Sequence, residues 1–528
     1  MSRYFFIFSL LILGFSGCQK PVKTDMRSLV PHDAIAFTES RDLAETLDSL
    51  TNNKKAKKLT TKPKDFSFLK NTQLAIIIEG FEAIESSTTE ENSVLDLMPR
   101  FVAVAETHAW NWQTISLVKN QMHNFIVEKF GADTEFRQFE KDSGRWFEWI
   151  AKDNRKAFTF VSGGRIYFSN NRNSIVKCLS VKNGTTESLK INESLSKVYS
   201  IQAENNAAFG YISPNGIVQI ADYISILLAF NATESEIGRS FIISVLPKIL
   251  QNSTSEVVWT ATETENGVRD EISMSFDVDS VNFLKDSFSQ SAKFDSALLQ
   301  FVPPDIFTIT RYNLANPSEA WRGLLFAIAQ NVDSQYRKDF IQLSNNLLNF
   351  YAVADAEKFL AVVDSNILTL RFGAENEKSV LIVTVKDTEK IKKSITDQIN
   401  FQLPSKVFGT AKIWESEDRQ ISAAFIENHL ILGDSESVYK CLSAKSSGRN
   451  FTRNSFFERF SESEATAITF GVDTNSFENL SIILGSEKPD KPDAFGNYMT
   501  ETFLTERGFE RKTVSDFGLI GMILEKLK

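Results

Sequence analysis

The chain has 528 residues, of which 42% are hydrophobic and 24% charged, and its net charge is −9. This length exceeds one ordinary hydrophobic core, so two or more domains are expected. The composition excludes a largely disordered chain. The net negative charge argues against nucleic-acid binding, because proteins that bind nucleic acid usually carry an excess of basic residues. The 44 phenylalanines fit either ordinary cores or a Phe-lined ligand cavity.

The amino terminus has the organisation of a bacterial export signal. Arg3 supplies a positive charge, and the apolar run 4–14 is too short to span a bilayer but suits the apolar region of a signal peptide. The run leads into Phe15-Ser16-Gly17-Cys18. Two small residues before a cysteine resemble the lipobox of bacterial lipoproteins. The resemblance implies that residues 1–17 are removed and that Cys18 is acylated. An ordinary secretory signal beside a chance cysteine is the alternative.

The residues after Cys18 indicate a location. Residues 18–29 are predicted to form the lipidated cysteine and a short polar tether. Several acyl chains on one cysteine hold a protein firmly on a bilayer. Gln19 follows the cysteine, whereas an aspartate there would resemble an inner-membrane retention signal. We therefore expect the protein to be anchored in the bacterial outer membrane and to face the periplasm.

A lysine-rich segment lies close in sequence to this anchor. Its lysines are Lys54, Lys55, Lys57, Lys58, Lys62 and Lys64. Each lysine near an anionic membrane surface can add about 1 kcal/mol to binding. The segment is therefore a candidate for contact with lipid head groups, and a solvated loop is the alternative.

Short words recur along the chain and predict an internal duplication. "VPHDAIAF" begins at Val30 and "VPPDIFTI" at Val302, while "SIVKCLSVK" begins at Ser174 and "SVYKCLSAK" at Ser437. Each cysteine word follows a predicted hairpin, with turns at Gly163-Gly164 and at Glu427-Asn428. The sequence thus predicts a first module over residues 30–295 and a second over residues 296–528.

The cysteine words are predicted to be helices with the thiol on a buried face. Ile175, Cys178 and Leu179 share one face by the i, i+3, i+4 rule, and the second word repeats this pattern around Cys441. Cysteine then serves as a small apolar residue. A disulfide between Cys178 and Cys441 is the alternative, since the periplasm permits disulfides.

The other segments alternate between strands and single helices. A further hairpin is expected at Asn266-Gly267, and "FYAVADAEKF", starting at Phe350, is predicted to be a strand. Strand pairs broken by helices predict an α+β fold with antiparallel sheets packed by helices. The lipobox and the "VPHDAIAF" start resemble an uncharacterised family of bacterial envelope lipoproteins with a domain of unknown function. This resemblance implies a lipid-anchored, duplicated α+β protein and supplies no catalytic residues.

The sequence offers no complete catalytic motif. The histidines lack metal-ligand spacing, so no metal or cofactor is expected. Ser-x-x-Lys, the nucleophile spacing of penicillin-recognising enzymes, occurs at the pairs Ser174 and Lys177, Ser194 and Lys197, and Ser437 and Lys440. The Lys-Thr-Gly motif that accompanies it in those enzymes is missing. The sequence therefore favours a non-enzymatic interaction or scaffold module with an envelope protein as its partner. A carrier or sensor of an unknown apolar ligand is the alternative, and a hydrolase with a site assembled from scattered residues is the least supported.

Overall fold

A computed structural model gives the fold of the chain. The structure describes residues 23–51, 65–89, 92–202, 206–232, 243, 247–248, 250–251, 254–265, 267–288, 294–332, 334, 336–373, 378–472, 480, 484 and 496–525. Helices and antiparallel strands are both abundant in these residues, so the α+β fold class predicted from the sequence is confirmed. In the described part of the chain no helix is long and apolar enough to cross a bilayer.

We call residues 23–288 the first half and residues 294–525 the second half. The described strands of the first half are β1 (Ala36–Ser40), β2 (Gln73–Thr89), β3 (Asn92–Glu106), β4 (Glu135–Lys141), β5 (Gly144–Ile150), β6 (Lys156–Ser162), β7 (Arg165–Ser169), β8 (Ala208–Ile212), β9 (Thr254–Thr264) and β10 (Gly267–Phe276). Those of the second half are β11 (Thr308–Asn313), β12 (Val363–Arg371), β13 (Ser379–Val385), β14 (Lys406–Phe408), β15 (Ala411–Glu415), β16 (Ile421–Ile426), β17 (His429–Asp434), β18 (Ala467–Val472), β19 (Asn497–Thr505) and β20 (Gly508–Ser515).

Helices lie on both faces of the strands. In the first half they are α1 (Leu43–Thr51), α2 (Asn111–Leu117), α3 (His123–Phe130), α4 (Arg172–Lys182), α5 (Glu193–Gln202), α6 (Pro214–Ala232) and α7 (Val278–Phe288). In the second half they are α8 (Pro317–Ala329), α9 (Arg337–Asn345), α10 (Ala356–Val362), α11 (Thr388–Lys392), α12 (Ser435–Ser447), α13 (Phe457–Glu462) and α14 (Gly518–Glu525). A π-helical turn, Val118–Met122, joins α2 to α3.

One of the predicted strands is a helix. The segment that starts at Phe350 completes a 3-10 turn and then enters α10. Asp355 caps α10 by accepting a hydrogen bond from the Lys358 backbone N–H at 3.0 Å. An aspartate cap followed by Ala356, Glu357 and Lys358 favours a helix more strongly than the short apolar alternation favours a strand.

The strands form one continuous antiparallel sheet, and they follow the same order in both halves. The order is β4-β5-β6-β7-β3-β2-β1-β8-β9-β10 in the first half. It is β14-β15-β16-β17-β13-β12-β11-β18-β19-β20 in the second half. β10 pairs with β20, so the last strands of the two halves join them edge to edge.

The register of this seam is symmetric. The two hairpins that lead into it carry the same turn word, Thr-Glu-x-Gly, which ends at Gly267 in the first half and at Gly508 in the second. Four residues after these glycines come Glu271 and Lys512, and these two residues lie directly opposite each other. A pseudo-two-fold axis therefore passes through the sheet between Glu271 and Lys512.

Helices cross the seam in both directions. Leu524 of α14 packs in the core that contains Ala261 and Val268 of the first half. The Leu519 backbone N–H donates to the buried Asp270 carboxylate at 2.8 Å. In the other direction α7 packs against α8. The halves are thus joined by side-chain packing as well as by the backbone ladder.

Candidate functional site

The predicted anchor and the predicted lipid-contact residues lie outside the described residues. These residues are Cys18, Lys54, Lys55, Lys57, Lys58, Lys62 and Lys64. The described structure ends at Thr51 before the lysine segment and continues from Asp65 after it. Its first residue, Lys23, is five residues after Cys18. Acylation of Cys18 and lysine contact with a membrane remain predictions.

The other two cysteines are buried and unpaired. Cys178 and Cys441 are free thiols, so the alternative of a disulfide between them is wrong. Cys178 packs with Ile175 and Leu179 in a core of the first half, and Cys441 packs in a separate core of the second half. Because each thiol packs in its own core, the two sulfur atoms are kept apart. Burial raises the pKa of both thiols well above the usual range.

We expect neither thiol to react in the native protein, because thiolate formation and access are both suppressed by burial. Treating the folded protein with iodoacetamide should leave Cys178 and Cys441 unlabelled, and labelling both should require urea. Peptide mass spectrometry reports each site separately. Labelling of either thiol at the native rate of an exposed cysteine, or a Cys178–Cys441 disulfide peptide, would contradict this expectation.

The Ser-x-x-Lys pairs do not form a nucleophile-and-base arrangement. Lys177 forms an ion pair with Asp33 at 2.7 Å, and Lys440 forms one with Glu436 at 2.7 Å. The bond to Glu436 raises the pKa of Lys440, which opposes its use as a base at neutral pH. Ser437 instead donates to the Asp434 carboxylate at 2.6 Å at the start of α12. Lys177, Lys440 and Ser437 thus have structural partners. In the third pair, Ser194 donates a hydrogen bond to Glu256 Oε1 at 3.2 Å.

The described residues offer no metal site, since no three His, Cys, Asp or Glu side chains among them lie close enough to hold an ion. His123 has a structural role, because its Nδ1 accepts a hydrogen bond from Trp149 Nε1 at 3.1 Å.

A cleft of about 590 Å³ opens in the first half at one end of the sheet. Its floor is apolar and consists of Met98, Phe101, Phe130, Phe158 and Phe168. The floor comes from three strands and the end of α3, which meet where β7 leads into α4. The rings of Phe101 and Phe168 are tilted at 57° with their centroids 5.9 Å apart. Phe101 and Phe158 are partly exposed and can contact a ligand, whereas Phe168 is 3% exposed and supports Phe101 from the core.

Asparagines form one rim of the cleft, on the loop between β7 and α4. Asn170 is fixed by two bonds to β3, since its Oδ1 accepts from the Phe101 N–H at 3.2 Å and its Nδ2 donates to the Pro99 carbonyl at 2.9 Å. Asn171 caps α4 by accepting from the Asn173 N–H at 2.9 Å. The amides of this rim are therefore held in place before any ligand arrives.

Charged residues of the turn between β5 and β6 form the opposite rim. Arg155 donates to Asp153 at 2.6 Å and lies 5.0 Å from the centre of the Phe130 ring. Lys156 is exposed, lines the cleft and forms no ion pair with any residue that the structure describes. An unpaired ammonium group beside an apolar floor suits a ligand with an apolar body and an anionic group.

Different residues occupy the positions of the second half that correspond to the aromatic floor. Counting along the paired strands from the matched hairpin turns, Gly163-Gly164 and Glu427-Asn428, Phe101, Phe158 and Phe168 correspond to Ser379, Ser422 and Leu432. These three residues are fully buried. Serine thus replaces two of the three aromatic rings in the second half, at positions where the side chains are fully buried. The aromatic floor is thus a difference between two otherwise similar frames, and the fold does not require it.

Sequence reasoning missed the cleft as a site, although it raised a Phe-lined cavity as an alternative. The floor residues are spread from Met98 to Phe168 and become neighbours only through the sheet. The run Asn170-Asn171-Arg172-Asn173 at the strand-to-helix turn was the one local signal of a polar rim.

The comparisons with known proteins add no relative: no family model, curated protein or solved structure matches this chain.

Proposed function

We propose that this protein is a lipid-anchored binding protein of the bacterial envelope that holds a small amphiphile in the cleft of its first half. The ligand class is an apolar or aromatic body that carries a carboxylate or phosphate. The observation that carries the proposal is the phenylalanine floor beside the unpaired Lys156. The lipobox around Cys18 supports attachment to the outer membrane on its periplasmic side. No catalytic role is assigned to any residue.

We propose further that the two halves are copies of one module. The shared strand order, the seam between corresponding strands and the repeated words all support an origin by duplication. On this proposal the copies have diverged in role. The first copy has the aromatic floor of a ligand cleft, and the second, with serine at two of these positions, supports the first through the seam.

The cleft is tested with protein purified gently from the envelope of the producing cell. Native mass spectrometry should show a reproducible bound mass. Stripped protein should bind anilinonaphthalene sulfonate, an aromatic anion, with a 1:1 stoichiometry. Phe158→Ser introduces the side chain that Ser422 has at the corresponding position of the second half. It should weaken probe binding about tenfold, or about 1.4 kcal/mol. Lys156→Gln should weaken it about threefold, because only the anionic end loses its partner.

The control is Phe326→Ser, which removes a phenylalanine that is 64% exposed on α8, outside the cleft. Probe binding should not change in this variant. Absence of a bound mass together with equal probe binding by the Phe158→Ser and wild-type proteins would refute the cleft as the ligand site.

A protein partner is the second candidate function, and an exposed apolar surface favours it. Phe283, Phe326 and Ile341 line one surface groove and are 46%, 64% and 45% exposed. Exposed apolar residues in neighbouring elements are typical of protein-interaction surfaces. If Phe326→Ser rather than Phe158→Ser removes probe binding, this surface is the better candidate and the scaffold hypothesis gains.

A further inference from the structure

Two tryptophans stand apart from the other five in the chain. Trp110 is 70% exposed and Trp112 is 67% exposed, whereas Trp146 and Trp149 are fully buried. The remaining three are half-buried. A large aromatic side chain left in water exposes apolar area, so two of them within three residues need an explanation beyond chance.

The segment that carries these tryptophans is held firmly. Thr107 donates to the Gly164 carbonyl from its backbone N–H at 2.9 Å and from its hydroxyl at 2.7 Å. Asn111 accepts a hydrogen bond from the Gly163 N–H at 3.1 Å. The turn between β6 and β7 therefore fixes the start of α2. A rigid mount presents both indole rings without a large entropy loss on contact with a partner.

The described chain begins at the same end of the sheet. Thr24 and Gln73 are joined by two hydrogen bonds, from the Thr24 N–H to Gln73 Oε1 at 2.7 Å and from Gln73 Nε2 to the Thr24 carbonyl at 2.8 Å. Gln73 opens β2 and lies opposite Glu106, the last residue of β3. Trp110 follows four residues later. Cys18 is six residues before Thr24, a span of at most about 22 Å.

The second half supplies an internal comparison. The corresponding helix after β13 is α11, and its first turn carries Thr388 and Lys390. Asp387 caps it by accepting from the Glu389 and Lys390 N–H groups at 3.1 Å and 3.0 Å. This helix is eleven strands away from β3 in the sheet. Polar residues suffice for the frame there, so the fold does not demand tryptophans at this position.

We propose that Trp110 and Trp112 insert into the interfacial layer of the bilayer that holds the anchor. Indole rings favour this layer because they are apolar with one polar N–H. The polar layer is about 5–8 Å thick on each side, a depth that a single side chain can enter. The inference rests on the proposed acylation of Cys18, which brings this end of the sheet to the membrane.

The contact also orients the ligand cleft. Phe101 precedes Glu106 by five residues on β3, which is about 17 Å along the strand. Asn170 likewise lies beyond the far end of β7 from Arg165. With the tryptophans in the bilayer surface, the cleft opens on the side of the molecule that faces away from the lipid.

The test measures tryptophan fluorescence of the envelope-purified protein in vesicles of phosphatidylcholine brominated at acyl carbons 6 and 7. Bromine quenches only indoles that reach the interface. We expect wild-type emission to be partly quenched relative to unbrominated vesicles. Trp110→Phe/Trp112→Phe should abolish the quenched component. Adding Thr388→Trp/Lys390→Trp to that variant should not restore it, because α11 lies far from the tether.

Two readouts separate this inference from the anchor. Mass spectrometry of the amino-terminal peptide reports whether Cys18 is acylated. An acylated protein that floats with the vesicles without tryptophan quenching overturns the tryptophan contact and leaves the anchor intact. If Cys18 is not acylated, the anchor proposal fails. Tryptophan quenching by added brominated vesicles then tests the contact alone. Quenching supports the tryptophan contact, and no quenching overturns it.

Discussion

Gly267→Ala should destabilise the protein by about 3–5 kcal/mol, one of the largest effects of any single methyl addition in the chain. Gly267 has φ 144°, which residues with a Cβ rarely adopt, and an added methyl group would overlap the carbonyl oxygen of Ser515 across the seam. Gly508 is its counterpart, with φ 139° and the Met274 carbonyl in the same position. Each hairpin glycine thus lets the backbone of one half approach the other.

Gly163→Ala is the matched control. Gly163 also lies in a hairpin turn with positive φ, 65°, but no atom lies within 4 Å of the place that its Cβ would occupy. Its cost should be about 1 kcal/mol, from backbone strain alone. Urea unfolding monitored by far-UV circular dichroism compares the variants. Equal costs for the two substitutions would show that close approach at the seam is unimportant. Gly267→Ala and Gly508→Ala combined should cost less than their sum, because both open the same seam.

Arg311→Met should cost about 3–5 kcal/mol, because it removes a buried cation that satisfies three backbone carbonyls. Arg311 is 2% exposed. Its guanidinium donates to the Phe460 carbonyl at 2.9 Å, to the Ser461 carbonyl at 2.6 Å and to the Ser463 carbonyl. These carbonyls belong to the end of α13, where helical carbonyls lack partners in their own helix. Burial lowers the pKa of Arg311 to about 10, so it stays charged at neutral pH.

Arg322→Met provides the comparison, because Arg322 forms an ion pair with Glu357 at 2.9 Å with its side chain 53% exposed. Exposed pairs contribute about 0–1 kcal/mol. Thermal unfolding of both variants beside the wild type measures the difference. If Arg311→Met and Arg322→Met lower the free energy of unfolding equally, the carbonyl cluster at α13 has no special role. Arg311→Lys should fall between wild type and Arg311→Met, since an ammonium group cannot span the three acceptors.

The sequence predicted the local elements well where periodicity and turn chemistry agree. Both hairpins before the cysteine helices turn at the predicted residues, and Ile175, Cys178 and Leu179 share a buried face. The strand predicted from Phe350 was wrong, because a capping aspartate outweighed the apolar alternation. The α+β class followed from the alternation of strand pairs and helices, which is a property of whole segments and tolerates such local errors.

The seam and the cleft were beyond the reach of sequence reasoning for a shared reason. An edge strand's pattern shows which face is buried but carries no information about its neighbour, and β10 meets β20 across more than 200 residues of chain. The cleft floor depends on the order of β3, β6 and β7 in the sheet. Glu39 and Arg311 show a further limit. They occupy corresponding positions in β1 and β11 and both are buried, yet one is an acid and the other a base. Only the surroundings reveal which partners each side chain has. Glu39 accepts a hydrogen bond from the Tyr199 hydroxyl at 2.5 Å, whereas Arg311 binds carbonyls.

The symmetric seam also bears on how the chain avoids pairing with another molecule of itself. Every chain is synthesised from its amino terminus, so β10 is complete while β20 is still to come. The edge of β10 is then open to a β10 from a neighbouring chain. The same two-fold register would then set Glu271 against Glu271, and two β20 strands would set Lys512 against Lys512. Like charges directly opposite each other in a sheet are destabilising, whereas Glu271 opposite Lys512 is favourable. One residue pair on the pseudo-axis thus favours closure within a single chain over self-association during folding.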